Sequence, residues 1–399
     1  MTSAGVDLER VRAETPGCEH VLHFNNAGAA LMPQPVIDAV RGHIELEARI
    51  GGYEAAERES ARLEHTYDAV ATLIGASSDE VALMDGATRA WDIVFHSLRF
   101  EPGDRILTSN TEYASNLIGM LQVARRSGVI IDVIADDGLG QVDVAALEGA
   151  IDERVKLIAL THVPSTGGLV NPAEGVGTIA HKHAIPYLLD ACQSVGQLAL
   201  DVETIGCDFL SGTGRKYLRG PRGTGFLYAR RATTAGVEPA MLDMHGADWI
   251  SRDSYRARAD ARRFETFEYD VAGRIGLGVA SDYALALGLE VIEGRVMALA
   301  SDLRARLLDV PGVEVHDRGE RLCGIVTFSL AGRGCDDIRD RLHAQGINTW
   351  VSAMSHSRLD LEPRGLDKVV RASVHYYNSE QEVERFVAAL VQFVSIPAT

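Results

Sequence analysis

Apolar and polar positions follow two different patterns along the chain. Between residues 81 and 229, short apolar runs alternate with segments of helical periodicity. The predicted strands are Val81–Met84, Arg105–Ser109, Val129–Ile134, Lys156–Leu160, Pro186–Leu189, Asp208–Ser211 and Gly225–Ala229. Several of these runs are apolar almost throughout, as expected of strands that are buried on both faces. The alternation therefore predicts an α/β unit whose seven-stranded, mainly parallel sheet is wrapped by helices.

The flanking regions have a different pattern. Leu31 to Gly75 reads as helical, since apolar residues recur there at helical spacing. Beyond residue 290 the order helix, strand, strand, helix, strand, strand, helix predicts a small α+β domain. Its elements are Val296–Val310, Val313–His316, Gly324–Leu330, Asp336–Gln345, Ile347–Ser352, Val369–Tyr376 and a last helix capped by Ser379 and Glu382.

These patterns divide the chain into three parts. We expect an N-terminal segment over residues 1–30, a large domain over 31–285 and a small C-terminal domain over 286–399. The boundary is expected within one helix that runs from about Ile275 to Glu293.

Composition excludes several classes of function. The 39 basic and 56 acidic residues give a net charge of −17, which disfavours a nucleic-acid binder because such proteins need a cationic face. No stretch is long and apolar enough to span a bilayer, and the first 17 residues lack the layout of a secretory signal. The five cysteines show no CxxC spacing, and His162, His181 and His183 form no standard ligand set, so we expect neither disulfides nor a metal site. We expect a cytoplasmic protein.

A glycine-rich turn carries the strongest chemical signal. Ser211 to Gly225 holds five glycines in fifteen residues and follows a predicted strand. Lys216 lies inside it between Arg215 and Arg219, cationic neighbours that disfavour a charged ammonium. Such a lysine suits Schiff-base chemistry. The alternative is a basic surface loop.

A carboxylate upstream gives the second signal. Asp190 ends a predicted buried strand, at the edge where open α/β sheets bind ligands. On its own it could equally be a helix cap. Lys216 follows it by 26 residues, a layout that suits holding both the ring nitrogen and the aldehyde carbon of a pyridine cofactor.

Together these motifs resemble a known family. Asp190-Ala-Cys-Gln193 and Ser211-Gly-Thr-Gly-Arg-Lys216 are similar to the cofactor signature of fold-type-I pyridoxal-phosphate enzymes of the class V aminotransferase group. That group includes cysteine desulfurases, isopenicillin-N-epimerase-like proteins and carbon–sulfur lyases. The resemblance extends from Phe24–Ala29 to Arg371–Asn378 and implies a pyridoxal 5'-phosphate cofactor and the fold of that group.

The resemblance assigns roles at the cofactor ring. Lys216 would bond to the cofactor's aldehyde carbon, and Asp190 would pair with the pyridine nitrogen. Gln193 would reach the phenolic oxygen. Tyr113 would stack on the ring, a role that its aromatic face suits.

The cofactor phosphate needs donors. Gly86, Ala87 and Thr88 follow a predicted strand and open a helix, so their backbone amides can face an anion. By resemblance, Thr213 and Arg215 complete the phosphate site.

The family also forms homodimers with shared active sites, in which a threonine of the partner subunit often contacts the phosphate. Here the expected Gly-Thr falls on Phe267-Glu268, and Thr266 is a weak substitute. We expect a homodimer nonetheless.

The substrate residues are also implied by resemblance. Arg371 would bind the α-carboxylate of an amino acid, since its planar fork pairs with two oxygens at once. Ser165 stands where many relatives have an asparagine that contacts the cofactor, and Asn25, Ala27 and Gly28 would line the pocket.

Reaction type depends on a missing thiol. Cysteine desulfurases carry a nucleophilic cysteine shortly before the carboxylate-binding arginine, but Val351 to Arg358 contains none. His356 lies there and is either an acid or base or an exposed loop histidine. Cys192 and Cys207 are expected to be packed thiols, on or beside buried strands.

The turn around Lys216 looks most like the lyase and epimerase branch, in which the sulfoxide lyase of ergothioneine biosynthesis is the nearest comparison. We therefore expect carbon–sulfur β-elimination on an amino acid. The alternatives are an aminotransferase or an epimerase. A desulfurase and a non-catalytic cofactor-binding homologue are less favoured.

Overall fold

A seven-stranded sheet forms the centre of the large domain in the computed structural model, which describes residues 5–394. Its strands are short, and all but the edge strand Ile130–Ile134 are almost fully buried. The strands of the described chain are β1 (Leu22–His23), β2 (Val81–Met84), β3 (Arg105–Ser109), β4 (Ile130–Ile134), β5 (Val155–Thr161), β6 (Tyr187–Asp190), β7 (Phe209–Thr213), β8 (Gly225–Ala229), β9 (Ala247–Ser251), β10 (Ser254–Ala257), β11 (Val313–Val315), β12 (Ile325–Leu330), β13 (Ile347–Asn348), β14 (Trp350–Ala353) and β15 (Lys368–Ser373).

The sheet order is β2-β8-β7-β6-β5-β3-β4. All pairings from β7 to β4 are parallel, whereas β8 runs antiparallel to both β7 and β2. All seven strands of the sheet lie where the apolar runs predict them, and the mainly parallel α/β architecture is confirmed. The carboxyl ends of β5, β6 and β7 therefore meet at one edge.

Helices cover both faces of this sheet, which explains why several of its strands are apolar almost throughout. The helices of the described chain are α1 (Leu8–Ala13), α2 (Gln34–Ile50), α3 (Gly52–Arg58), α4 (Ser60–Ile74), α5 (Ala87–Phe95), α6 (Ala114–Ser127), α7 (Val144–Gly149), α8 (Ala173–Lys182), α9 (Val202–Ile205), α10 (Arg231–Thr234), α11 (Val271–Leu287), α12 (Leu289–Leu308), α13 (Cys335–His343), α14 (Arg358–Leu361) and α15 (Glu380–Val394). Short 3₁₀ turns lie at Pro16–Glu19, Ser78–Glu80, Ala261–Phe264 and Met354–His356.

The single helix expected from Ile275 to Glu293 is wrong. The structure has two helices there, α11 and α12, which meet at an angle of 80°. Gly288 separates them with φ of +88°, a left-handed conformation that glycine adopts without steric cost. No single helix among residues 5–394 is long and apolar enough to cross a membrane, although α11 and α12 together pass that test by length and composition.

The small domain is built on a four-stranded antiparallel sheet, β11-β12-β15-β14. The predicted strand Ile347–Ser352 is divided in two, because β13 pairs with β1 whereas β14 pairs with β15. The capping box is present: Ser379 N–H donates to Glu382 Oε2 and Glu382 N–H donates to Ser379 Oγ, each at 3.2 Å.

The N-terminal segment packs on the small domain. Phe24 follows β1 and stacks on Phe386 of α15, with ring centroids 4.7 Å apart. After Phe24 the backbone passes back to the large domain, where Ala30 N–H donates to Arg215 O at 2.9 Å. Residues 24–31 therefore lie between the small domain and the glycine-rich turn.

Candidate active site

A cavity of about 410 Å³ opens at the carboxyl ends of β5 and β6, where the predicted residues converge. Most of the residues that line it have polar or charged side chains. It is lined by Asp85, Gly86, Ala87, Thr88, Arg89, Asp92, Tyr113, Thr161, Val163, Ser165, Asp190, Cys192, Gln193, Arg215 and Lys216.

Asp190 is the last residue of β6 and is buried. Its Oδ1 accepts from Cys192 N–H at 2.9 Å, and its Oδ2 accepts from Asn116 Nδ2 at 2.8 Å. Burial raises the pKa of this carboxyl, while the two donors and nearby Lys216 act in the opposite direction. The carboxylate is thus oriented by neutral donors.

Lys216 lies three residues beyond β7, and its side chain is buried in the cavity wall rather than displayed on a surface loop. The turn that holds it is closed by Gly220 N–H, which donates to Gly214 O at 2.7 Å. Lys216 Nζ lies 3.1 Å from Cys192 Sγ. The structure therefore brings the lysine close to the strand end that carries Asp190.

Arg219 does not act as the cationic neighbour expected from sequence. Its guanidinium donates instead to Leu31 O at 2.8 Å, to the Tyr376 hydroxyl at 2.7 Å and to Thr15 Oγ1 at 2.5 Å. It also lies 4.6 Å from the centre of the Tyr377 ring. Arg219 fastens the turn to the N-terminal segment and the small domain.

Cys192 also differs from expectation. It lies after the end of β6, not on a buried strand, and its half-buried side chain forms part of the cavity wall. Burial raises the pKa of its thiol. Cys207 is fully buried, as predicted.

Tyr113 lines the cavity immediately before α6. Its backbone N–H donates to Glu112 Oε1 at 3.0 Å and to Thr161 Oγ1 at 3.2 Å. These bonds hold the segment that carries the ring.

Three buried residues of this region have no role in the sequence prediction. Asn116 Nδ2 donates to Glu112 Oε1 at 2.8 Å, and Thr161 Oγ1 donates to the same oxygen at 2.5 Å. Burial raises the pKa of Glu112 to about 7. The available signal was a pair of polar residues four positions apart after a predicted strand, which is too common to single out.

An anion site lies at the start of α5. Ala87 and Thr88 occupy its first turn, and their backbone amides have no partner within the helix. Arg215 lines the same cavity, and its Nη1 donates to Thr213 Oγ1 at 3.2 Å. Thr213 itself is buried behind the wall. This arrangement can hold a phosphate.

Arg371 lies on β15 of the small domain and is 6% exposed. Its Nη1 donates to Ser165 O at 2.8 Å, and its Nη2 donates to Asn25 Oδ1 at 3.3 Å, whereas Nε has no partner. Burial lowers its pKa to about 10. No carboxylate of residues 5–394 forms an ion pair with it. A buried cation of this kind suits an anionic ligand.

Gln193 and the N-terminal segment adjoin the same space. Gln193 Nε2 donates to Ala27 O at 3.1 Å, while its buried Oε1 has no partner. Gly28 is packed so closely that a Cβ there would lie 2.7 Å from Asn25 Oδ1. The expected group Asn25, Ala27 and Gly28 is thus joined to both Gln193 and Arg371.

Two expected contributions are absent from the cavity wall of this chain. His356 is exposed, and its Nδ1 accepts from Ala353 N–H at 3.3 Å. Thr266, Phe267 and Glu268 are likewise exposed. The structure does not place these residues in the cavity of their own chain.

Comparisons with known proteins agree with this geometry. The aminotransferase class-V family model matches residues 22–386. A probable cysteine desulfurase of Methanothermobacter thermautotrophicus is 32% identical over 386 residues, covering 94% of this chain and 95% of the relative. A probable cysteine desulfurase of Xylella fastidiosa is 32% identical over 402 residues, covering 97% and 95%.

Solved structures of the same fold include the apo cysteine desulfurase of Thermococcus onnurineus NA1. It has a TM-score of 0.91 and 27% identity, and the match covers 99% of both chains. A cystine C–S lyase in complex with its reaction product, cysteine persulfide, has a TM-score of 0.86 at 22% identity, covering 94% of this chain and 99% of the other.

Proposed function

The chain belongs to the class V aminotransferase family, and we propose that it uses pyridoxal phosphate to break a carbon–sulfur bond. The proposed substrate is a cysteine-derived amino acid, and the proposed reaction is β-elimination. One water is consumed. The sulfur leaves as hydrogen sulfide from cysteine, as a persulfide from cystine, as a thiol from an S-conjugate or as a sulfenic acid from a sulfoxide. The three-carbon remainder hydrolyses to pyruvate and ammonium.

The residues present fit the cofactor. Gln193 Oε1 is buried without a partner and can accept from a phenolic hydroxyl, while Asp190 offers a carboxylate to a protonated ring nitrogen. Ala87, Thr88 and Arg215 supply donors and positive charge for a phosphate. When bound, pyridoxal phosphate supplies an electron-withdrawing ring that stabilises negative charge at the substrate's α-carbon.

The remaining roles belong to the chain. Lys216 Nζ would hold the cofactor's aldehyde carbon and then move the proton at the substrate's α-carbon. Arg371 would bind the α-carboxylate, with Ser165 O and Asn25 Oδ1 fixing the guanidinium plane. Tyr113 would stack on the ring.

The proposed reaction type rests on the raised pKa values and the positions of the five cysteine thiols. Persulfide transfer requires a thiolate, and burial raises the pKa of every cysteine in the chain. None of them lies on the segment 351–358. Elimination needs no protein thiol, so it is the outcome that this chain supports best.

Cysteine desulfurase activity is the second candidate. The similar relatives carry that name, and Cys192 places one thiol at the cavity, beside Lys216. In that reaction a protein thiolate would take the sulfur and alanine would leave. Transamination or epimerisation would instead leave the carbon–sulfur bond intact.

The test is product identification with the protein loaded with pyridoxal phosphate. A panel of cysteine, cystine, cysteine S-conjugates and their sulfoxides is incubated with the enzyme, and products are identified by mass. We expect pyruvate, ammonium and the sulfur product that matches each substrate in equal amounts, and nothing from Lys216→Ala. A keto acid that retains sulfur, a D-amino acid or alanine would each contradict elimination.

We also propose a cytoplasmic homodimer. The five cysteines are free, as expected in a reducing compartment. An exposed apolar side chain lies near the segment 266–268: Asp243 Oδ2 accepts from Phe267 N–H at 2.8 Å, and Met244 beside Asp243 is 76% exposed. Sedimentation of the purified chain tests the assembly, and a fully active monomer would contradict it.

A further inference from the structure

Asn116 connects two buried carboxyl groups. Its Nδ2 donates one hydrogen to Glu112 Oε1 and the other to Asp190 Oδ2, both at 2.8 Å. Asn116, Glu112 and Asp190 are each at least 95% buried. An amide nitrogen has only two hydrogens, so both are used.

Glu112 is surrounded by donors. Besides Asn116, its oxygens accept from Thr108 Oγ1 at 2.9 Å, from Tyr113 N–H at 3.0 Å and from Thr161 Oγ1 at 2.5 Å. No cation of residues 5–394 forms an ion pair with it. Four bonds, from β3, β5, α6 and the backbone just before α6, therefore hold this side chain in one orientation.

This surrounding decides how Asn116 is oriented. An asparagine can present either its oxygen or its nitrogen to a neighbour, and the hydrogen-bond partners determine which. Glu112 Oε1 already accepts from Tyr113 and Thr161, so the amide turns its nitrogen toward Glu112. The second amide hydrogen then points at Asp190 Oδ2. In the flipped orientation the amide oxygen would face that carboxylate instead.

We propose that Glu112 is a positioning residue for the cofactor site, which through Asn116 holds the Asp190 carboxylate in the orientation that meets the cofactor's ring nitrogen. This role of Glu112 deepens the proposed function and rests on pyridoxal phosphate being the cofactor. The charged and titratable groups that face this pair are Asp190 and Tyr187 from β6, with Lys216 facing Asp190 from the glycine-rich turn.

The test uses a double-mutant cycle on the affinity of the apoenzyme for pyridoxal phosphate. The affinity is measured at pH 8, above the Glu112 pKa of about 7, so that Glu112→Gln keeps the shape and one acceptor oxygen but removes the charge. Asn116→Leu removes the bridging amide at similar volume. We expect Asn116→Leu to weaken the affinity about tenfold or more, and Glu112→Gln by about three- to tenfold. Glu101→Gln, at an exposed loop position, is the matched control and should change nothing.

The decisive comparison is the double variant. If Glu112 acts through Asn116, Glu112→Gln should have no further effect on the dissociation constant in the Asn116→Leu background. An equal effect in both backgrounds would overturn the proposal, because Glu112 would then act by another route such as the Tyr113 backbone.

Two further readouts separate positioning from general damage. The pH at which the bound cofactor's visible band changes should shift in both single variants, and unchanged bands with a lower melting temperature alone would mean a structural role. If Asn116→Leu does not fold, Asn116→Ser, which is too short to reach both carboxyls, takes its place with the same expectation. A wild-type protein without any visible band would refute the proposed function instead.

Discussion

At the scale of single residues, the cavity is flanked by two buried charged side chains that form no ion pair within residues 5–394. Asp190 is oriented by an amide and a backbone N–H, and Arg371 by two oxygens, and neither forms an ion pair within residues 5–394. Burying such charges costs free energy unless a ligand supplies an opposite charge that pairs with them. A protonated ring nitrogen and a substrate carboxylate are ligands of the right sign.

Arg371→Ala should therefore reduce kcat/KM by about 30- to 4000-fold, which corresponds to ~2–5 kcal/mol for the loss of one partner of a buried charge pair. The loss should fall mainly on KM, since the carboxylate is bound before and during the reaction. Steady-state kinetics measure it. Arg358→Ala, an exposed arginine of the small domain, is the matched control. An unchanged KM would remove Arg371 from the substrate site.

Glu112 gives the apoenzyme a pH-dependent stability. Its pKa in the fold is about 7 because it is buried, whereas in the unfolded chain it is near 4.5. The folded chain therefore holds this proton where the unfolded chain has lost it, and stability falls as pH rises through that interval. Relative to Glu112→Gln, the wild type should lose stability from about pH 4.5 to 7 and not above. Urea unfolding across this range measures it, and a constant difference would contradict the account.

Single residues also show how far the sequence could predict the site. Asp190, Lys216 and Arg215 lie at one cavity, because Asp190 ends a strand, the other two follow one, and both strand ends are visible in the apolar pattern. Glu112 and Asn116 were missed, since a polar pair in a polar segment has no periodicity to mark it. Arg219 and Cys192 were misplaced, because side-chain direction in a turn depends on tertiary contacts.

At the scale of elements, a buried ion pair joins the helical layer to the sheet. Arg274 Nη1 of α11 donates to Glu265 Oε2 at 2.7 Å, while Glu265 Oε1 accepts from Leu83 N–H of β2 at 2.9 Å. The Tyr67 hydroxyl of α4 donates to the same carboxylate. Glu265 also stands just before the exposed segment 266–268.

Glu265→Gln should destabilise the fold by about 3–5 kcal/mol, because it leaves Arg274 buried without its counter-charge. Burial opposes ionisation of Glu265, yet His245, Arg274 and Leu83 N–H hold its pKa below the usual range. The stabilisation that ionised Glu265 contributes is therefore fully present above its pKa in the unfolded chain. It should be lost as the pH falls through the lower pKa that Glu265 has in the folded chain. Thermal unfolding against Glu268→Gln, an exposed neighbour, measures both effects. Equal melting temperatures would contradict this role.

The bounds of strands that are buried on both faces were predicted well. Bounds that depend on which other strand or helix a segment packs against were predicted poorly. The strands β2, β3 and β8 begin and end where the apolar runs do. The break at Gly288 was missed because apolar periodicity continues across it. Likewise, nothing in Ile347–Ser352 shows that its first residues pair with β1 of the N-terminal segment.

At the scale of the whole molecule, the two domains are fastened beside the site. Asp317 of the small domain accepts from Gly168 N–H at 3.1 Å and from Arg304 Nε at 2.7 Å. The loop that holds Gly168 also carries Ser165, whose carbonyl binds Arg371. Arg371 and most of the cavity wall thus come from different domains that are held in register.

The central claim is that this enzyme breaks a carbon–sulfur bond without a protein thiolate. Of the five cysteines, Cys18, Cys192 and Cys335 are partly exposed, whereas Cys207 and Cys323 are fully buried. The most direct measurement is pyruvate and alanine released from one cysteine-derived substrate by the wild type and by the triple variant Cys18→Ser, Cys192→Ala, Cys335→Ser. We predict pyruvate without alanine from both proteins, at rates within a few-fold of each other. Alanine from the wild type, lost in the triple variant while its cofactor spectrum persists, would contradict elimination and establish desulfuration through a protein thiol.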